Sequence, residues 1–156
     1  MYCKNNPINY IDPSGHFAIA IPIGIVITKT ALSALLYAGG AVIVGGSAYI
    51  VASKAKKNKK YEYFCAFLEK GNQEGDLYIG KGISSGEAKR RMRRGQDIWT
   101  VTSRLAKKAA SSLSKGSPIR EVDKDKKGRP KKGHYWHYHP AKRKPKVHAF
   151  YGNAVK

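Results

Sequence analysis

The longest apolar stretch of the chain covers residues 17–52, which Pro22 and Lys29 interrupt. Beyond them runs an uncharged segment of 22 residues, Ala31–Ala52, and the basic sequence SKAKKNKK follows at once. About 20 apolar residues allow a helix to cross a bilayer, and a basic flank is typical of a membrane surface. We therefore predict that residues 17–60 form an apolar, helical segment for translocation or membrane insertion. A buried helical hairpin, or a segment sheltered by a larger parent protein, is the alternative.

From Tyr61 onwards the pattern changes to short strands and helices. The aromatic and apolar residues of YEYFCAFL (61–68) and DLYIGKG (76–82) predict two strands, which the turn-forming EKGNQEG connects. Residues 135–139 and 147–151 predict a second pair of strands around the loop PAKRKPK.

Two basic helices are predicted between these strand pairs. Ser84 and Glu87 have the spacing of a capping box, and the helix that they open runs through Arg94 and stops at Gly95. The segment TSRLAKKAASSL is amphipathic, because its apolar residues fall on one helical face: Leu105, Ala106, Ala109, Ala110 and Leu113. For residues 61–156 we predict an α+β fold with a small antiparallel sheet and about two helices.

Charge is distributed unevenly along the chain. The protein has 30 lysines and arginines against 10 acidic residues, a net charge of +20. Only Lys4, Lys29 and Asp12 are charged before residue 53, so residues 53–156 hold 28 basic and 9 acidic side chains, a net charge of +19. Such a field favours a polyanionic partner: nucleic acid, an anionic membrane surface or an acidic protein.

Four of the five histidines lie in the last 23 residues, in HYWHYHPAKRKPKVHAFYG. Side chains alternate between the faces of a strand, so His137 and His139 share one face and His134 takes the opposite one. His148 reaches the first two only if the strands pair so that paired residue numbers have an odd sum. We predict that register, with His137, His139 and His148 converging on an exposed face.

Three imidazoles on one face are suited to metal-independent RNA cleavage. Groups that titrate near neutral pH can take the proton of the attacking 2′-hydroxyl and give one to the leaving 5′-oxygen. A nearby tyrosine can stabilise the charge on the phosphorane. The predicted catalytic residues are His139, His148, His137, Tyr151 and Tyr138. The cations predicted to bind backbone phosphates are Lys142, Arg143, Lys144, Lys146, Arg90 and Arg94.

Two other interpretations apply to the same histidines. Three imidazoles can bind zinc, but no carboxylate or cysteine joins them locally in the sequence, so we predict no metal and no cofactor. The rings can also be packing residues that lie against aromatic side chains.

The N-terminal residues YCKNNPINYIDPSGH resemble the end of the conserved core of Rhs/YD-repeat proteins. In that family an Asn-Pro element followed by Asp-Pro-x-Gly marks the boundary before a variable C-terminal toxin, and the latter element is linked to self-cleavage. Asp12, Pro13 and Gly15 match, whereas His16 stands where an apolar residue is common. The resemblance implies that residues 1–16 end an Rhs core, that 17–60 serve delivery, and that 61–156 are a basic toxin domain.

A second resemblance covers about residues 78–152. The elements GHYWHYHP and KVHAFYG are similar to the terminal motifs of a group of secreted bacterial polymorphic toxins, His-Tyr-His-Pro and then His-x-Phe/Trp-Tyr/Phe-Gly. The matching residues are His137, Tyr138, His139, Pro140, His148, Phe150, Tyr151 and Gly152. Such domains are regarded as toxins, most plausibly nucleases, so the resemblance implies a fold like that of small RNase toxins.

A third resemblance favours a different nuclease. Tyr78-Ile79-Gly80, with Arg90 after it, is similar to the second half of the GIY-YIG nuclease motif, but YFCAF does not supply the first half. A metal-dependent DNase of that kind is one alternative function, and an ordinary core strand is the simpler interpretation. A toxin that permeabilises membranes through residues 17–52, and an ADP-ribosyltransferase, are further alternatives.

The partners that follow from these patterns are RNA (tRNA or rRNA), an acidic cognate immunity protein, the parent Rhs shell and a membrane contacted through residues 17–52. We expect a toxin that is secreted from one bacterium and acts in the cytoplasm of a target cell.

Overall fold

The computed structural model describes residues 21–68 and 77–156. The predicted Rhs boundary in residues 1–16, the start of the apolar stretch and the turn EKGNQEG therefore lie outside the described residues. The helices are Lys29–Tyr37 (α1), Ser85–Arg93 (α2) and Ser103–Ser111 (α3). The strands are Ala41–Val44 (β1), Ser47–Val51 (β2), Tyr63–Leu68 (β3), Leu77–Ile83 (β4), Ile98–Thr100 (β5), Ile119–Glu121 (β6), His137–His139 (β7) and Ala149–Tyr151 (β8).

All eight strands belong to one sheet, in the order β1-β2-β4-β3-β5-β8-β7-β6. Every neighbouring pair is antiparallel except β5 and β8, which run parallel. The predicted α+β class is confirmed. The sheet is larger than the small one predicted. The apolar segment adds β1 and β2 at one end, residues 119–121 add β6 at the other, and Ile98–Thr100 adds β5 in the middle.

The apolar segment does not form one continuous helix. Thr28 caps α1, which ends after nine residues at Tyr37, and a hairpin of β1 and β2 follows. Strand β2 then pairs with β4, with Ile50 opposite Ile79, and both side chains are fully buried. The prediction of a helical segment is thus correct only for α1, and the boundary placed at residue 60 runs between hydrogen-bonded strands. Among the described residues, no helix has the length and apolarity required to cross a membrane.

The two remaining helices match their sequence signals. Ser84 accepts a hydrogen bond from the Glu87 amide at 3.2 Å, and Thr102 accepts one from the Leu105 amide at 3.3 Å. Each cap satisfies a backbone donor that the first helical turn leaves free. Gly95 follows α2 with a φ of +75°, which glycine adopts without strain.

The sheet buries both of its faces. Helices α2 and α3 cover one face, which we call the helix face, and Met92 and Leu105 belong there to one buried cluster with Tyr138 and Tyr151. Helix α1 covers part of the other face through Leu32, in a cluster that also contains Phe64, Ile79, Trp99 and Phe150. Successive residues along β8 therefore belong to different cores: Ala149 and Tyr151 to the first, Phe150 to the second.

The glycines of the YIGKG segment have a packing role. A Cβ atom on Gly80 would lie 2.8 Å from the Tyr49 ring, and one on Gly82 would lie 2.5 Å from the ring of Tyr61. Tyr78 is buried, and its hydroxyl donates to the Gly39 carbonyl oxygen at 3.3 Å. These contacts agree with the interpretation of this segment as a core strand.

Candidate functional site

The pairing of β7 with β8 brings three histidines together. Tyr138 lies opposite Ala149, and the continuation of this register sets His139 opposite His148. The predicted odd-sum register is confirmed. The ring centroids of His139 and His148 are 4.6 Å apart, and those of His137 lie 4.9 and 5.0 Å from them. We call these three residues the histidine cluster.

The cluster is buried, which corrects the prediction of an exposed face. His137 and His139 are 6% and 4% exposed, and only the His148 side chain, at 25%, reaches solvent. The reason is that the second core continues along this side of the sheet, so the His148 ring stacks on Phe150 with centroids 5.2 Å apart. A pocket of about 200 Å³ opens beside the three rings.

Glu121 completes the cluster from β6. That strand pairs with β7 and sets Glu121 opposite His137. Its Oε1 atom lies 2.6 Å from Nε2 of His139 and 3.6 Å from Nε2 of His137. Glu121 was not among the predicted site residues, because 15 residues separate it from His137 and no strand was predicted for residues 119–121.

Arg143 binds the outer side of Glu121. Its two terminal nitrogens donate to the two carboxylate oxygens at 2.5 and 2.6 Å. These hydrogen bonds, helped by His139, lower the pKa of Glu121 to about 2 although partial burial opposes the shift. Glu121 is thus an ionised carboxylate that faces the histidine cluster.

Backbone carbonyl groups orient two of the rings. Nδ1 of His137 lies 3.0 Å from the Tyr135 oxygen, and Nδ1 of His139 lies 3.1 Å from the Val147 oxygen. Since a carbonyl oxygen only accepts, each Nδ1 donates its hydrogen. Burial lowers the pKa of both rings, and a charge on His148 would lower it further. When either ring is neutral, its Nε2 therefore carries no proton, and this is the nitrogen that faces the other members of the cluster.

Asp97 orients the third ring. Its Oδ1 atom lies 3.0 Å from Nδ1 of His148 and accepts from the His148 amide at 2.7 Å. Arg91 on α2 donates to the Asp97 carbonyl oxygen at 2.8 Å and to the Ala66 carbonyl oxygen at 3.0 Å, which links this loop to β3. No sequence pattern indicated that Asp97 would contact His148, 51 positions later.

The predicted tyrosines lie on the helix face, away from the histidine cluster. Tyr138 and Tyr151 pack together with centroids 5.8 Å apart, in the core that α2 and α3 cover. The Tyr151 hydroxyl accepts from Nε of Arg120 at 2.7 Å, and the Arg120 guanidinium stacks on Trp136. The structure does not bring these two hydroxyl groups to the imidazoles, because alternation along β7 and β8 separates them.

The predicted phosphate-binding cations fall into two groups. Lys142, Arg143, Lys144 and Lys146 are exposed on the β7–β8 connection, and Arg143 and Lys146 line the pocket. The other two lie at α2: Arg90 is in the helix and pairs with Glu87 at 2.7 Å, and Arg94 follows the helix directly and is exposed. Only the first group adjoins the histidine cluster.

His134 requires a correction of its predicted face. Strand β7 begins at His137, so strict alternation does not extend back to residue 134. His134 lines the same pocket, and its Nδ1 lies 2.9 Å from the Asp123 carboxylate.

The site can perform two kinds of chemistry. Free imidazoles beside a carboxylate can transfer protons. In addition, each ring of the cluster offers one nitrogen, and these three nitrogens lie within 4.8 Å of one another. This spacing allows the three rings to hold a metal ion.

No family model matches the chain, and no curated protein and no solved structure matches it either. The resemblances to Rhs toxins and to GIY-YIG nucleases therefore stay predictions.

Proposed function

We propose that this protein is the toxin part of a bacterial Rhs-type antagonism protein and that it cleaves RNA at the histidine cluster. The observation that carries the proposal is the convergence of His137, His139, His148 and Glu121 in one pocket. A pocket that combines several such titratable groups is the default candidate for an active site.

Charge supports a nucleic acid as the substrate. The net charge is +20, and Lys142, Lys144 and Lys146 are exposed along the loop beside the pocket. The cations of such a loop contact backbone phosphates and so position the nucleic acid, whereas recognition of the bases requires other contacts. A scissile phosphate near Lys146 would lie within the same pocket as the imidazoles.

The reaction that fits these groups is transesterification at the 2′-hydroxyl. A base removes the proton from O2′, O2′ forms a bond to phosphorus, and the bond from phosphorus to O5′ breaks as an acid protonates O5′. The products are a 2′,3′-cyclic phosphate and a free 5′-hydroxyl. In the route predicted from the sequence, His139 and His148 are the base and acid. They are the two closest rings of the cluster, and His148 is the more exposed.

The test uses the full chain with total RNA and with plasmid DNA. We expect RNA fragments that end in 2′,3′-cyclic phosphate, and intact plasmid. A His139→Ala variant purified in the same way controls for contaminating ribonuclease, and its circular dichroism spectrum shows whether it is folded.

Three results would contradict the proposal. Cleavage of the plasmid alone would favour the GIY-YIG-like DNase, and release of dye from liposomes without RNA cleavage would favour a membrane-permeabilising toxin. Modification of a protein by NAD, with RNA left intact, would favour an ADP-ribosyltransferase.

The same charge argument extends to an inhibitor. We propose that the immunity protein is acidic and covers the pocket, because a carboxylate-rich surface complements the cationic loop from Lys142 to Lys146. Association should slow as salt is added. An inhibitor that is basic would contradict this part of the proposal.

A further inference from the structure

In all three rings of the cluster Nδ1 has a hydrogen-bond acceptor, which leaves Nε2 available to bind a ligand. Two backbone carbonyl groups and the Asp97 carboxylate accept from the Nδ1 atoms of His137, His139 and His148. Histidines that bind metal ions almost always use one nitrogen for the ion and donate the other to a carbonyl or carboxylate group. All three members of the cluster have this arrangement.

The distances between ligand atoms lie on both sides of the value for a tetrahedral centre. Bonds of about 2.0–2.1 Å to zinc set neighbouring ligand atoms about 3.3 Å apart. Nε2 of His137 and Oε1 of Glu121 are 3.6 Å apart, and the ring nitrogens of the cluster lie within 4.8 Å of one another.

The contact between His139 and Glu121 needs a positive charge. Nδ1 of His139 already donates to Val147, so Nε2 of a neutral ring and Oε1 of Glu121 are two acceptors only 2.6 Å apart. A second proton on His139 would satisfy this one pair. A metal ion would satisfy it together with the lone pairs of His137 and His148.

We propose that the Nε2 atoms of His137, His139 and His148, with Oε1 of Glu121, bind one divalent first-row metal ion. Three imidazoles and one carboxylate suit Zn²⁺ rather than Mg²⁺ or Ca²⁺, which prefer sites made of oxygen atoms. Glu121 lies on β6, and His137 and His139 lie on β7, which is hydrogen-bonded to β6. His148 comes directly before β8, which pairs with the other edge of β7. The sheet itself therefore holds the four donors together.

This inference rests on the proposed function for the pocket and the substrate, but it makes His139 and His148 metal ligands in place of the proton-transfer groups predicted from the sequence. Its readout does not depend on RNA cleavage. If RNA cleavage fails and metal binding succeeds, the function is wrong and the site remains. If metal binding fails and cleavage persists in EDTA, the metal-independent route predicted from the sequence is supported.

The experiment measures metal content and affinity of the full chain. After dialysis against a chelator and then against Zn²⁺, we expect one zinc ion per chain by elemental analysis, and saturable binding by calorimetry. Co²⁺ in place of Zn²⁺ should give visible absorption bands of the intensity typical of four-coordinate cobalt. Mg²⁺ at the same concentration should not compete.

Substitutions identify the ligands. His139→Ala, His148→Ala and Glu121→Gln should each weaken Zn²⁺ binding by more than the roughly 10–100-fold typical of residues that only orient a ligand. Asp97→Asn should fall within that range, because Asp97 acts through the His148 ring. His134→Ala is the matched control, since it removes an imidazole from the same pocket without touching the cluster.

Unchanged Zn²⁺ affinity in folded Glu121→Gln and His148→Ala would overturn the proposal, as would the absence of stoichiometric binding in the wild-type chain. Loss of binding in His134→Ala would also overturn it, because the ion would then lie elsewhere in the pocket. Thermal unfolding of every variant without metal separates a lost ligand from a lost fold.

Discussion

The two ends of the sheet come from sequences of opposite character. Strands β1 and β2 derive from the uncharged run Ala31–Ala52, whereas β6, β7 and β8 lie among lysines and histidines. The structure of the apolar run was predicted poorly, because a run of uniformly apolar residues is compatible with a helix or with a buried strand. The histidine-rich strands predicted theirs well, since alternation on a strand specifies which residues share a face.

The difference extends to what each end contributes. The apolar end supplies fully buried side chains, such as Leu32 and Ile50, which need no specific partner. At the other end His137 and His139 are buried, and each requires hydrogen-bond partners in a defined direction. Within the residues that the structure describes, no buried side-chain nitrogen or oxygen lacks a partner. One end therefore stabilises the sheet, and the other positions reactive groups on it.

The largest expected effect on stability lies at the apolar end. Ile50→Ala should lower the free energy of unfolding by about 2–5 kcal/mol, because it leaves a cavity where a fully buried side chain belongs to the core that contains Leu32 and Ile79. Urea unfolding measures the change. Val44→Ala is the matched control on the same hairpin, at 46% exposure, and should change stability by less than about 0.5 kcal/mol. Equal small effects would show that the hairpin does not pack on the sheet in solution.

The next effect concerns activity at the histidine end. His139→Ala and His148→Ala should each lower the rate of RNA cleavage by about 100-fold or more, the usual scale for the loss of a proton-transfer group. Tyr138→Phe, on the opposite side of the same strand, should stay near the wild-type rate. Initial rates on a labelled RNA measure the difference. Full activity in both folded histidine variants would reduce the cluster to a packing element.

A smaller change tests the role of the helix face. Tyr151→Phe removes the hydroxyl that accepts from Nε of Arg120, and we expect a loss of about 0.5–1.5 kcal/mol in the free energy of unfolding. The rate of RNA cleavage should not change. If the rate instead falls 100-fold while stability holds, the tyrosine assists catalysis as the sequence first predicted.

The smallest effects are expected for single lysines of the loop. Lys142→Ala, Lys144→Ala and Lys146→Ala should each weaken RNA binding by a few fold. Each should also reduce the slope of log affinity against log salt by about 0.7, the value for one lost contact to single-stranded nucleic acid. Arg143→Ala should differ from them, because it also releases Glu121. A salt slope identical to wild type in all three lysine variants would exclude the loop from the RNA-binding surface.

The chain therefore determined much of its local structure without tertiary information. The caps at Ser84 and Thr102, the apolar face of α3 and the odd-sum register of β7 and β8 depend on neighbours in sequence or on strand alternation. Such signals are short-range, and nothing distant competes with them strongly enough to override them.

Only the tertiary structure decided the burial and the completion of the site. Glu121 and Asp97 reach the histidines because β6 pairs with β7, and because β5 runs parallel to β8. Long-range pairing of this kind leaves no periodic trace in either segment, since each strand needs only three residues. The burial of the run Ala31–Ala52 was also decided by tertiary structure. Its hydrophobicity predicts that it is buried, but whether lipid or a neighbouring strand buries it depends on the rest of the chain.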